Sequence, residues 1–453
     1  MHTLLDSAEA KLPGNTIESG LKRSWLIFIL LWAIGAFLFF LRVPEYITHP
    51  NFFGEDADFT FHYLASPWIF LKSRQNGWWM VGTTLMLHLS HRLNYLIFNS
   101  DILKISVCYA LVSYCFWGFV ASFPVILLRK FLSLHLLIVL WSLTVSTPLN
   151  FLETSYIGTL CNLKFLFVYL GVIFFLHRIL TPINSPIQIA TAGCLVFCAY
   201  CCPLGFATNF MALIFDRFNI KRPSNLVLCL GFIPQIALLS IKGIPENPWH
   251  IAMPPINISA ILVFVVRTFQ TLPLLVFQEY FSTFEIIILT SILIVLCFRL
   301  CSKESKVYVS KLFMMAMVFS LFSLWQRPQL LICGGNFASA NCGSQYLLIS
   351  NQIVSLAMLF ALQTFCNRKR RWKLVSGFML IYAGFAIGTA NKTGIFRRKF
   401  NFEIEPITDS LPKICKNLNG KSNLPDFAIG NAYPKPNKFI LPTKLACPKL
   451  EHS

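Results

Sequence analysis

The sequence predicts an all-α polytopic membrane protein of about eleven transmembrane helices, with amphipathic interfacial helices in the first outer loop. Three observations carry the membrane class. Of 453 residues, 56% are hydrophobic and 13% charged, whereas soluble domains run about 45–50% apolar and about 25% charged. Several stretches approach the roughly 20 apolar residues that cross a bilayer, and they are unbroken rather than alternating, which argues against a β-barrel. The 38 basic residues, against 19 acidic, collect in short clusters at the ends of these stretches, as the positive-inside rule distributes them. The net charge of +19 therefore speaks for a lipid bilayer and against a nucleic-acid partner.

Residues 1–23 are polar and end in Lys22-Arg23, and the long apolar run that follows lacks a small-residue cleavage site. It reads as a retained first span with the N-terminus in the cytoplasm. Spans are expected at 24–42, 104–128, 132–148, 160–178, 187–202, 204–216, 226–242, 283–299, 308–325, 347–366 and 374–390. The flanks Arg129-Lys130, His177-Arg178, Arg217 with Lys221-Arg222, Arg299 with Lys303 and Lys306, and Arg368 to Lys373 then share the cytoplasmic side. Segment 258–280 carries Arg267 and Pro273. As a span it would put the Arg368–Lys373 run outside, so it is expected as an outer-face interfacial helix. Segment 204–216 follows Cys202-Pro203 and reads as a helical hairpin broken at Pro203 or as a re-entrant loop. The organisation is a cytoplasmic 1–23, a membrane domain 24–390 with an outer loop 43–103, and an outer tail 391–453 without strong periodicity.

Most of the 15 cysteines lie in apolar stretches, where a free thiol acts as a small hydrophobe. Cys198 and Cys201 have no second ligand pair at zinc spacing. Outside the spans, Cys333 with Cys342 and Cys415 with Cys447 are candidate disulfides if their segments face an oxidising side.

The chemistry-bearing candidates gather in the first outer loop. Glu55, Asp56 and Asp58 place three carboxylates within four positions. Glu55 and Asp56 read as a general base for an acceptor hydroxyl, or as loop and cap residues favoured by a helix dipole. Asp58 reads as the cap of a following helix. Amphipathic stretches at 58–72 and 80–98 are expected to lie at the membrane surface. His88, His91 and Arg92 form a small cationic group, with His88 and Arg92 one helical turn apart and Arg92 suited to phosphate. Glu153 either orients substrate or sits in a water-exposed turn. Arg267 and Arg327 either hold a phosphate or snorkel to headgroups. No P-loop, dinucleotide fingerprint, H-E-x-x-H or nucleophile elbow is present. No cofactor and no dedicated metal-ligand set is read.

These residues carry a resemblance. Glu55-Asp56-Ala57-Asp58-Phe59 is similar to a Glu-Asp-Gly-x-x-Phe pattern, with Ala for Gly. Leu87-His88-Leu89-Ser90-His91-Arg92-Leu93 is similar to Leu-His-Leu-Leu-Pro-Arg-Leu, with His91 for Pro. Glu153 through Asn162, Lys164 and Phe165 resembles a Glu followed by an Asn-rich stretch ending Gln-Trp. Cys202-Pro203-Leu204 echoes Gly-Pro-Phe, and Gln345-Tyr346-Leu347 echoes Arg-Tyr-Phe with the Arg lost. The chain thus resembles bacterial membrane glycosyltransferases of the GT-C class, in particular Gtr-type O-antigen glucosyltransferases. The resemblance implies a polyprenyl-phosphate-linked hexose donor and a polysaccharide acceptor. It implies a site on the periplasmic face of the inner membrane, with Asp56 as base and Glu55 beside it. His88, Arg92, Glu153, Arg267, Arg327 and Tyr346 would contact substrate, and flippase and donor-synthase proteins would work alongside. A lipid-linked sugar flippase and an O-antigen polymerase are the alternatives.

Overall fold

The computed structural model describes residues 14–51, 54–65, 80–146, 157–181, 185–242, 258–272, 274, 282–326, 344–369, 377, 407–418, 427–431, 438–442 and 447. Among them, five helices are long and apolar enough to cross a bilayer: Arg23–Arg42, Ile102–Leu127, Cys161–Leu180, Ser305–Leu324 and Leu347–Phe365. Four apolar helices are shorter: Leu134–Ser146, Pro186–Cys201, Leu204–Phe215 and Pro223–Pro234. The chain is an α-helical polytopic membrane protein. A helix underlies each expected span as far as 347–366, and the expected span 374–390 lies outside the described residues.

Numbering the longer helices along the chain gives α1 Gly14–Arg42, α2 Gly54–Ala65, α3 Val81–Phe98, α4 Ile105–Ser122, α5 Leu134–Ser146, α6 Lys164–Leu180 and α7 Pro186–Cys201. They continue as α8 Pro203–Phe215, α9 Pro223–Lys242, α10 Ile258–Phe269, α11 Thr283–Leu300, α12 Lys303–Gln326, α13 Ser344–Lys369 and α14 Ile407–Leu418. The bundle is built on close helix pairs. Small residues let membrane helices approach where lipid offers no hydrophobic drive, and α1 and α4 use this: a Cβ on Gly118 would lie 2.5 Å from the Ala36 nitrogen. Arg42 closes α1, and its guanidinium, buried, donates to the carbonyl of Val145 in the last turn of α5. A cation there offsets the negative end of a helix. Helix α6 is the most enclosed of the candidate spans, with 83% of its apolar window buried, and α12 pairs with α13 through Ser320 and Ser350, whose hydroxyls are 2.8 Å apart.

The α7–α8 connection is a helical hairpin broken at Pro203, a shape that a re-entrant loop shares. Only Cys202, in extended conformation, separates the two helices, and Pro203 opens α8, where its missing N–H costs nothing. A Cβ on Gly205 would stand 2.4 Å from the Cys198 carbonyl, so glycine is what allows the two arms to close. Around the hairpin's open end, Phe131 packs on His177, Arg178 pairs with Asp216 at 2.8 Å, and Lys311 lies over Phe215.

The tail holds the exception to an all-α chain. Helix α14 is followed by strands β1 (Phe427–Asn431) and β2 (Lys438–Pro442), paired antiparallel with Ile429 opposite Ile440. Cys415 and Cys447 form a disulfide, one of the two expected pairs. Cys333 and Cys342 lie outside the described residues. Strand β2 packs on α2, and Ile407 N–H donates to Pro50 O at 2.8 Å. The tail and the first loop therefore occupy the same end of the bundle.

Candidate functional site

Helix α2 presents Asp56, Phe59, Thr60 and Tyr63 at the i, i+3, i+4 and i+7 spacing of one helical face. Asp56, Phe59 and Thr60 are buried and Tyr63 half-buried. The Asp56 carboxylate, 2% exposed, takes the Leu160 N–H on Oδ1 and Oδ2 at 3.2 and 3.0 Å and the Cys161 N–H on Oδ1 at 2.8 Å. Leu160 and Cys161 open the 3-10 turn Cys161–Leu163 that runs into α6. The carboxylate therefore caps, from another part of the chain, the N–H groups that a helix start leaves unpaired. The positive end of α6 favours the charge. Helix α2 begins at Gly54, four residues before Asp58, so Asp58 lies inside the helix and is not its cap.

A chain of hydroxyls and imidazoles leads from this cap to α3. Thr60 Oγ1 donates to the Asp56 carbonyl at 2.6 Å and lies 2.7 Å from the Tyr109 hydroxyl. The Tyr109 hydroxyl lies 3.2 Å from His91 Nε2. Thr60 spends its one proton on the carbonyl, so it accepts from Tyr109, and Tyr109 in turn accepts from His91. That order places the His91 proton on Nε2. Tyr63 stacks on the His91 ring at 4.2 Å, and its hydroxyl is 2.7 Å from His88 Nδ1. Burial, helped by the neighbouring His88, pushes the His91 pKa down to about 4, so His91 is neutral near pH 7. The expectation of a cationic His88–His91–Arg92 group is corrected at His91: desolvation disfavours its charged form. Burial also lifts the Tyr63 hydroxyl above its ordinary range, with the Arg92 cation opposing.

Helix α3 is oriented with its polar side inward. Thr83, Thr84, Ser90 and Asn94 are buried, while Leu85, Leu89 and Leu96 are exposed. Its start is pressed into the bundle at Gly82, where a Cβ would meet Phe167 of α6 at 2.4 Å and Cys201 of α7 at 2.7 Å. Behind the Asp56 cap, Gly158 adopts φ +91° against the Tyr46 ring and donates its N–H to Ser113 Oγ at 3.1 Å. A left-handed backbone packed this closely suits glycine alone.

The sequence candidates thus divide. Asp56 and His88 are brought together with the unforeseen Thr60, Tyr63 and Tyr109, and Arg92 stands exposed beside them. Glu55 is in the first turn of α2, with its side chain outside the described residues, as is that of Tyr346 at the start of α13. Glu153 and Arg327 lie outside the described residues. Arg267 is on α10, which packs on α11, α12 and α13, a different set of helices from those around Asp56. The missed tyrosines carried one available signal: Tyr63 falls seven residues after Asp56, on the same helical face. Tyr109 carried none, because only tertiary packing turns a span residue toward a loop helix. Among the described residues, no group of three or more His, Cys, Asp or Glu could hold a metal ion. The arrangement offers hydrogen-bonding hydroxyls, one neutral imidazole, a second imidazole and an exposed guanidinium at one end of an apolar bundle, the end the tail shares. Comparison with protein-family models, curated proteins and solved structures finds no match to this chain.

Proposed function

We propose that this protein is a membrane glycosyltransferase that moves a hexose from a polyprenyl-phosphate carrier to a surface polysaccharide on the periplasmic face of a bacterial inner membrane. The observation that carries the reading is the meeting of four segments far apart in sequence. The Glu55–Phe59 and Leu160–Phe165 segments are joined directly by Asp56 on Leu160 and Cys161; the helices that carry the Leu87–Leu93 segment and the Cys202–Leu204 turn meet them through neighbouring residues, Tyr63 on His88 and Gly82 on Cys201. These are four of the five stretches that resemble the GT-C pattern. A lipid-linked donor supplies its own leaving group as the carrier phosphate, so transfer needs no nucleotide-binding fold. What it needs is a proton acceptor for the incoming hydroxyl and a cation for the departing phosphate. His88 is the acceptor in this reading, Arg92 is the cation, and Asp56 holds the start of α6 in place.

The test is transfer of labelled hexose from a synthetic polyprenyl-phosphate hexose to isolated polysaccharide by the purified protein in nanodiscs. Wild type is expected to transfer, with His88→Ala and Arg92→Ala each at least tenfold slower. A well-folded wild-type protein that transfers no hexose from any polyprenyl-phosphate donor to host polysaccharide removes the reading.

A further inference from the structure

The end of α8 that lies away from the Cys202 tip carries a second feature, separate from the Asp56 assembly. Helix α8 gives way there to residues 216–222, Asp-Arg-Phe-Asn-Ile-Lys-Arg, and α9 begins at Pro223. Phe218 N–H donates to Leu213 O at 2.8 Å and Arg217 N–H to Ile214 O at 2.9 Å. This is the bond pattern in which a helix end turns left-handed and usually recruits glycine. Here the left-handed residues are Arg217, with φ +54°, and Phe218, with φ +49°. That backbone costs a residue with a Cβ what it does not cost glycine. Strain kept in a short turn points to a task for the side chains it presents.

The turn is compact, because Asn219 N–H donates to Asp216 O and Arg222 N–H to Asn219 O. Arg217, Phe218, Ile220 and Lys221 are exposed on it. Phe218 sits edge-on to Phe210, with ring centroids 6.0 Å apart, and so extends the exposed apolar strip of Phe210 and Ile214 on α8. Asp216, the one acid of the turn, pairs with buried Arg178 at 2.8 Å and with Arg222 at 3.4 Å. Among the described residues, Arg217 and Lys221 have no ion-pair partner. Two uncompensated cations thus stand where an apolar strip of the bundle surface ends.

We propose that the α8–α9 turn is a binding site for an anionic phospholipid. Arg217 and Lys221 take the phosphate diester, and an acyl chain lies along Phe210, Ile214 and Phe218. The preference for a net negative headgroup follows from the same charges. A choline or ethanolamine ammonium needs a carboxylate beside the phosphate site, and that of Asp216 is held by Arg178 and Arg222. A glycerol headgroup brings no such need. The site is independent of the transfer reaction, so it stands or falls on lipid binding alone.

The experiment is native mass spectrometry of the full-length protein in detergent, titrated with phosphatidylglycerol and, in parallel, with phosphatidylcholine of the same chains. Phosphatidylglycerol is expected to bind at least fivefold more tightly. Arg217→Gly and Lys221→Gln should each lower its affinity about fivefold. Arg217→Gly should leave the protein at least as heat-resistant in phosphatidylcholine as wild type, since glycine takes the left-handed position without cost. Arg129→Gln with Lys130→Gln removes charge from another exposed basic flank and should leave the lipid preference as in wild type. Free glycerol phosphate, which lacks the chains, should not displace the lipid at tenfold excess. Equal affinity for both lipids, or Arg217 and Lys221 variants that bind phosphatidylglycerol as wild type does, would overturn the proposal. So would an equal loss in the Arg129 and Lys130 variant, which would reduce the preference to net charge, or displacement by glycerol phosphate, which would make the ligand a soluble phosphate.

Discussion

Replacing Asp56 separates a cap from a base. The carboxylate engages two backbone donors at three distances between 2.8 and 3.2 Å and is 2% exposed. Hydrogen bonds to a charged group contribute about 1.5–3 kcal/mol each, and an orphaned buried N–H costs about 1–3 kcal/mol. Asp56→Ala strands both N–H groups and should cost roughly 2–6 kcal/mol. Asp56→Asn keeps one acceptor oxygen but loses the charge that answers the helix dipole, for about 2–4 kcal/mol. The assay is amide hydrogen exchange of detergent-solubilised protein, read at Leu160 and Cys161. A loss of 2–4 kcal/mol in local opening free energy speeds exchange by roughly 30- to 900-fold. Distant amides, such as those in the middle of α12, should stay near wild type. The reasoning is refuted if Asp56→Asn leaves both amides protected while hexose transfer disappears, because Asp56 would then be a base that merely rests on the helix end.

The other expectations concern stability and topology. Cys415→Ser should loosen the tail by about 3.7 kcal/mol, the loop entropy released by a 32-residue separation. Trypsin should then cleave between α14 and β2, and labelling of Cys415 or Cys447 in intact cells without reductant would contradict an oxidised outer tail. His91 has a folded pKa of about 4 against about 6.5 unfolded, so the unfolded chain binds more protons between those values. Stability should fall as pH drops through that window, by about 2 kcal/mol at pH 5, and His91→Gln should flatten the profile in denaturant titrations. Gly205→Val should fail to give folded protein because its Cβ meets backbone at 2.4 Å, whereas Gly193→Ala, with nothing within 4 Å, should unfold no earlier than wild type on heating. Asp216→Ala should cost about 3–5 kcal/mol by leaving Arg178 buried and uncompensated, and Arg178→Met with Asp216→Leu should recover most of it by the same thermal assay.

The membrane class was legible because it rests on composition and run length, which need no tertiary information. The helix breaks at Cys202-Pro203 and the Cys415–Cys447 pair were also legible, since proline and cysteine signal locally. The role of Asp56 was not. A carboxylate near a helix start suggests a cap of that helix, and nothing in the chain says that its partners are the amides of Leu160 and Cys161, about a hundred positions on. Burial misled in the same way at His91. Next to His88 and Arg92 it reads as one cation of three, yet packing against Tyr63 and Tyr109 removes the water that would hold its charge. The hairpin of the tail escaped notice because β1 and β2 are five residues each, too short for alternation to stand out.

Helix lengths bound how far the α7–α8 hairpin reaches beside the Asp56 assembly. The hairpin arms α7 and α8 have 16 and 13 residues, so at about 1.5 Å per residue they rise roughly 20–24 Å. They start from the end where Arg178 meets Asp216. The hydrocarbon core is about 30 Å thick, which leaves the Cys202 tip roughly 6–10 Å short of the outer boundary if Arg178 marks the inner one. Gly82 packs against Cys201 just before that tip, so the start of α3 sits beside the hairpin tip. Thr83, Thr84, Ser90 and Asn94 are turned into the protein, while Leu85, Leu89 and Leu96 are exposed with Arg92 on the same face. An apolar outward face that carries one cation is the order of a helix whose free side meets the membrane interface. In the proposed transfer, a lipid-borne donor would approach along the exposed Leu85, Leu89 and Leu96 side and the polysaccharide from the tail side, where β2 rests on α2.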